Sequence, residues 1–90
     1  MKTTKQILEE RTGHIWYEAN SSNIDCYTYE ESTQTLFIVF KKNKANTQYV
    51  YGYKVPKSEF DSLHQAESKG KWVNSNLVRK EVPYEKGLLD

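Results

Sequence analysis

The stretch Thr35-Leu36-Phe37-Ile38-Val39-Phe40-Lys41 is apolar at every position between its ends. As a strand it points Leu36, Ile38 and Phe40 to one face and Phe37 and Val39 to the other, because successive side chains alternate. Both faces are then apolar and both need cover, so the sheet must carry a helix on one side and further chain over the second. Ninety residues have to supply all of it. A chain of this size buries only about 60–65% of the surface its unfolded form exposes, which leaves room for one domain with a thin core.

Two neighbours of this segment also read as strands. Over 24–29, Ile24, Cys26 and Thr28 alternate with Asp25, Tyr27 and Tyr29. Over 47–54, Tyr49, Tyr51 and Tyr53 form one row, with Gln48, Val50 and Gly52 opposite. The intervening turns, around residues 30–33 and 42–46, are short enough for antiparallel hairpins. The expectation is a three-stranded antiparallel meander over about 24–29, 35–41 and 47–54.

Helical signals bracket the meander. Thr3-x-x-Gln6 has the form of a capping box and Gly13 supplies a stop, which predicts a short helix over about 4–12. Pro56 suits a first helical turn, Glu59 and Asp61 complement its dipole, and Phe60, Leu63 and Ala66 follow at helical spacing until Gly70. This predicts the main helix, about 56–69. Asn74 is placed to cap a last short helix over about 74–80, which Pro83 prevents from continuing. The fold class is α+β, organised as a helical N-terminal extension (1–20), a central domain (21–84) and a tail (85–90).

Composition narrows the function. Hydrophobic residues make up 37% and charged residues 28%, too mixed for a disordered chain, and no stretch approaches the ~20 apolar residues a membrane span needs. Met1-Lys2-Thr3-Thr4-Lys5 leads into a charged segment, unlike a signal peptide, so a cytoplasmic location without membrane contact is expected. Cys26, the single cysteine, excludes an intramolecular disulfide and reads as a small buried hydrophobe. His14 and His64 have no patterned partner, and Ser68-Lys69-Gly70-Lys71 matches S-x-x-K without the other motifs that chemistry requires. The reading is a binding protein and not an enzyme, with no cofactor and no metal.

The order of residues resembles the KTSC domain, a family named after the C-terminal segment of some lysyl-tRNA synthetases and also found as free-standing bacterial and phage proteins. The resemblance is carried by Ser21-Ser22-x-Ile24, Tyr27 and Tyr29, Tyr49-x-Tyr51, Val55-Pro56, Leu63, Ala66-x-Ser68-x-Gly70, Trp72-x-Asn74-x-x-Leu77-x-Arg79 and Tyr84. It covers roughly residues 21–84. Trp72 stands where the family usually has a smaller aromatic, Leu77 where isoleucine is common, and the first twenty residues have no counterpart. The resemblance singles out Ser21, Ser22, Ser68 and Asn74, each also a good cap or turn residue. It implies a small α+β fold and, through a role suggested for the family, RNA binding.

Seven tyrosines and two tryptophans point to a partly exposed aromatic surface. Charge is uneven: residues 1–40 carry three basic and six acidic groups, residues 41–80 nine basic and three acidic. The first ligand expected is RNA or other single-stranded nucleic acid, with Tyr49, Tyr51 and Tyr53 as a stacking platform flanked by Lys41, Lys42, Lys54 and Lys57. Against this stands burial of the same row beneath the 56–69 helix. Lys69, Lys71, Arg79 and Lys80 could meet phosphates, Arg79 through its fork. The second expectation is a nucleotide-type small ligand, stacked on Trp72 or a tyrosine, addressed by Asn74 and Arg79 and sequestered as a phage counter-defence protein would do, in a pocket that two protomers of a homo-oligomer could complete. The third is an aromatic protein–protein interface.

Overall fold

In the computed structural model, which describes residues 1–89, the chain opens with α1 (Thr4–Thr12). The capping box forms: Thr3 Oγ1 accepts the Gln6 N–H at 3.2 Å and Gln6 Oε1 accepts the Thr3 N–H at 2.9 Å. Gly13, at φ 74°, ends the helix in the left-handed conformation that glycine tolerates best. Next come β1 (Tyr17–Glu18), β2 (Ile24–Glu30), β3 (Thr35–Phe40) and β4 (Gln48–Lys54), then α2 (Lys57–Gln65), α3 (Lys69–Val73), a π-helical turn (Asn74–Val78) and β5 (Tyr84–Leu89).

The expected meander is present as β2–β3–β4, but the sheet has five strands in the order β1-β2-β3-β4-β5, each antiparallel to its neighbour. β1 is two residues long and carries no readable period. β5 spans most of the stretch expected to be tail; it is an exposed edge strand, so no buried apolar face marks it.

β2 departs from simple alternation. Ile24 pairs with Phe40 and Cys26 with Val39, so Asp25 is an extra residue in the strand, a β-bulge. The bulge moves Ile24 off the face it was expected to share with Cys26. Ile24 joins Tyr27, Leu36, Ile38, Tyr53, Leu63, Val73 and Leu77 in the larger core, whereas Cys26 packs with Leu8, Trp16 and Val39. The two clusters are the two faces of β3: α2 and α3 cover one, and α1 with Trp16 covers the other. The N-terminal extension therefore supplies core. Gln48, buried at 6% exposure, ties this side together by accepting from Thr4 Oγ1 (3.1 Å) and donating to Asp25 Oδ2 (3.1 Å) and the Phe40 carbonyl (3.2 Å).

The single helix expected over 56–69 is two helices. α2 stops at Gln65, Ala66 takes extended dihedrals (φ −68°, ψ 137°), and Ser68 starts α3 by accepting the Lys71 N–H at 3.4 Å. A serine that caps a new helix outcompetes continuation of the old one. The expected helix over 74–80 is likewise not a separate element, because α3 runs directly into the π turn, where Arg79 N–H reaches the Asn74 carbonyl at 2.9 Å. The wider turn keeps Val73 and Leu77 both buried (2% and 1% exposed).

Candidate functional site

The three tyrosines of β4 lie on the helix-covered face, but the cover ends partway along them. Tyr53 is in the core, and burial pushes its phenol up to about 12. Tyr49 and Tyr51 are partly buried, with some of each ring reaching the surface. Pairing with β5 widens the row into a patch: Tyr53 faces Tyr84, Tyr51 faces Lys86 and Tyr49 faces Leu88. Directly opposed residues share a face, so Tyr84, Lys86 and Leu88 all project beside the tyrosines. Tyr51 stacks against Tyr53 at 6.4 Å between centroids, Tyr84 leans on both (5.2 Å and 5.5 Å), and Phe40 meets Tyr51 edge-on at 5.2 Å. Lys86 Nζ stands over the Tyr49 ring at 4.6 Å and 5.9 Å from that of Tyr51.

Beside this patch the π turn and the connection to β5 raise a second wall. Leu77, Val78, Glu81, Val82 and Pro83 face Phe40, Tyr51, Tyr53 and Tyr84 across a groove of about 650 Å³. Tyr84 and Val78 are about half exposed (55% and 54%) on opposite rims. A π-helical turn is a frequent companion of functional sites, and here it sets one wall of the groove.

The other expected site residues are dispersed. Ser21, Ser22, Lys71 and Asn74 meet in a separate polar cleft between the 20–23 loop and α3. Ser21 Oγ is occupied there: it donates to Asn23 Oδ1 (2.8 Å) and lies 3.3 Å from the N–H groups of Asn23 and Ile24. A side chain at Gly70 would stand 2.6 Å from Asn23 Oδ1, so a residue without Cβ is what lets α3 approach this loop. Lys54 does not flank the tyrosines; it projects from the other face and donates to Thr35 Oγ1 at 2.9 Å. Lys57 is engaged with Glu31 at 2.9 Å. The Trp72 indole N–H donates to Ser62 Oγ at 2.9 Å, tying α3 to α2. Arg79 is exposed at the end of the π turn, next to Val78 of the groove wall.

Tyr84, Lys86, Val78 and Glu81 were not foreseen as site residues. The alternation of Tyr84, Lys86 and Leu88 repeats that of β4 and was the available signal.

The groups capable of chemistry are otherwise engaged. Cys26 is fully buried, and desolvation, helped by the Asp25 charge, pushes its thiol up to about 12. His14 Nε2 lies 3.1 Å from Glu30 Oε2, and His64 Nδ1 lies 2.6 Å from the Tyr27 hydroxyl. Among the described residues, no three His, Cys, Asp or Glu side chains are grouped to hold a metal. No helix among them is long and apolar enough to cross a membrane.

The family model of the KTSC domain matches residues 20–80, and the chain belongs to that family. The polar cleft lies within the matched residues, as do Phe40, Tyr51, Tyr53, Leu77 and Val78 of the groove. Glu81, Tyr84 and Lys86 lie beyond them. The chain matches no curated protein.

Proposed function

We propose that this protein binds single-stranded nucleic acid, RNA foremost, and does so without transforming it. The observation that carries the reading is the thinly covered end of the sheet, where the partly buried Tyr49 and Tyr51 and the exposed Tyr84 lie beside a groove, with Lys86 among them. Unpaired bases need aromatic faces to stack on and cations to meet their phosphates, and a sheet surface offering both is a common solution. Duplex bases are already stacked and have no use for such rings. Arg79 and Lys80, in the segment that leads into β5, and Lys42 and Lys44, in the turn that leads into β4, supply further exposed cations. The proposed setting is the cytoplasm, bacterial or that of a phage host.

A second reading rests on the groove itself. Its volume of about 650 Å³ falls within the range of small-ligand sites, about 300–1,000 Å³, so a single nucleotide is the competing ligand. Fluorescence anisotropy of a labelled single-stranded RNA, with mononucleotides and duplex as competitors, separates the two. Tyr84→Ala is expected to weaken RNA binding by about 1–3 kcal/mol, the loss of one base stack, while duplex competes poorly. Displacement by a mononucleotide at equal concentration supports the second reading. Absence of any RNA binding at low salt, or no effect of Tyr84→Ala, overturns the first.

A further inference from the structure

We propose that the groove selects guanine, and that Glu81 is the residue that reads it; this rests on the nucleic-acid reading above. Glu81 is the sole charged residue among the described residues lining the groove. A carboxylate there is an odd neighbour for a nucleic acid, since it repels phosphate, so its presence asks for a base edge that compensates.

Only one base edge does so twice. Guanine places N1–H and one N2–H side by side, pointing the same way, which matches the two oxygens of a carboxylate. Adenine and cytosine each place a single amino donor beside a ring-nitrogen lone pair. Uracil flanks its N3–H with two carbonyl oxygens. Each of these three sets a repulsive acceptor against the second carboxylate oxygen, whereas two charge-assisted bonds in parallel are among the strongest available.

The backbone that carries the carboxylate is also fixed in place. Glu81 has φ 53°, a left-handed backbone that a residue with a Cβ adopts at a cost. It is pinned there by its own N–H to the Val78 carbonyl at 3.1 Å and by the next N–H, Val82 to Leu77, at 3.0 Å. Among the described residues, no salt bridge occupies its side chain. The aromatic wall of Tyr51 and Tyr84 would take the face of the base while Glu81, on the facing wall, takes its edge. The phosphate of that nucleotide then lies on the Lys86 side, away from the carboxylate.

The test uses the whole chain and three labelled single-stranded RNAs of equal length: alternating uridine–guanosine, the same with inosine, which lacks the 2-amino group, and uridine–adenosine. The guanosine RNA is expected to bind at least about tenfold tighter than the adenosine RNA, with inosine between them, as a lost hydrogen bond to a charged group predicts. Glu81→Gln should collapse the ranking by weakening the guanosine RNA about tenfold, while the adenosine RNA, no longer facing a second acceptor, binds at least as tightly as before. Equal binding of all three RNAs by the unaltered protein overturns the guanine assignment and leaves the nucleic-acid reading standing. Binding of none of them overturns both. The ranking by the unaltered protein is decisive even if the variant folds poorly.

Discussion

Tyr27 and Tyr53 both keep their phenols among core side chains, and burial pushes each up to about 12 from the ordinary 10.0. In the unfolded chain these phenols ionise near 10, whereas the folded chain resists the phenolate. Stability is therefore full below pH 10 and is lost as pH rises from there towards 12. The two residues are not equivalent probes: the Tyr27 hydroxyl bonds His64 Nδ1, while among the described residues no hydrogen bond holds that of Tyr53. Tyr53→Phe should leave neutral stability within about 0.5 kcal/mol and move the alkaline unfolding midpoint upward, as followed by circular dichroism. An unchanged midpoint would show that the Tyr53 phenol is free to ionise in the native state. Alternation in the sequence puts all three β4 tyrosines on one face, as observed. It could not say which of them is covered, because that depends on where the chain returns after Gln65. The same limit applies to Lys54 and Lys57, adjacent in sequence to the row but drawn off by Thr35 and Glu31.

At the scale of elements, legibility followed how local the signal was. α1 runs over the expected 4–12 because a capping box and a glycine stop mark its ends with their own atoms. The break between α2 and α3 was harder to see, since helical spacing continues through Ala66 and only the Ser68 cap interrupts it. β5 was easy to overlook for the opposite reason: its partner, β4, lies thirty residues away, its own face stays exposed, and the alternation of Tyr84, Lys86 and Leu88 is its one local mark. α1 has few apolar residues and is held to the sheet chiefly by Leu8, at 4% exposure against Trp16, Cys26 and Val39. Leu8→Ala removes that anchor, leaves a cavity on the back of β3, and should destabilise the protein by about 2–4 kcal/mol in urea denaturation. A loss below about 1 kcal/mol would mean that α1 is a detachable appendage.

For the whole molecule, the fold converts an uneven sequence into a directional surface. The positive excess of residues 41–80 would be of little use if scattered, and part of it is spent: Lys57 pairs with Glu31 and Lys54 bonds Thr35. Lys69 donates to the Ala66 carbonyl and Lys71 lines the polar cleft, while Lys42, Lys44, Arg79 and Lys80 stay exposed in the segments that lead into β4 and β5. The 41–47 turn precedes Tyr49, and Arg79 and Lys80 precede the strand that carries Tyr84 and Lys86. A strand of RNA laid along β4 would thus meet cations before, beside and after the rings. If three or four phosphates are neutralised, the logarithm of affinity should fall against the logarithm of salt with a slope of about −2 to −3. Affinity then drops about 16- to 60-fold between about 50 and 200 mM salt, a range that anisotropy resolves easily. Lys86→Gln should flatten the slope by about 0.7, one phosphate on a single strand, while Lys57→Gln, already engaged with Glu31, should leave it unchanged. A response flat in salt would remove the phosphate track and point instead to the aromatic patch as a protein interface, whose apolar contacts salt screens little.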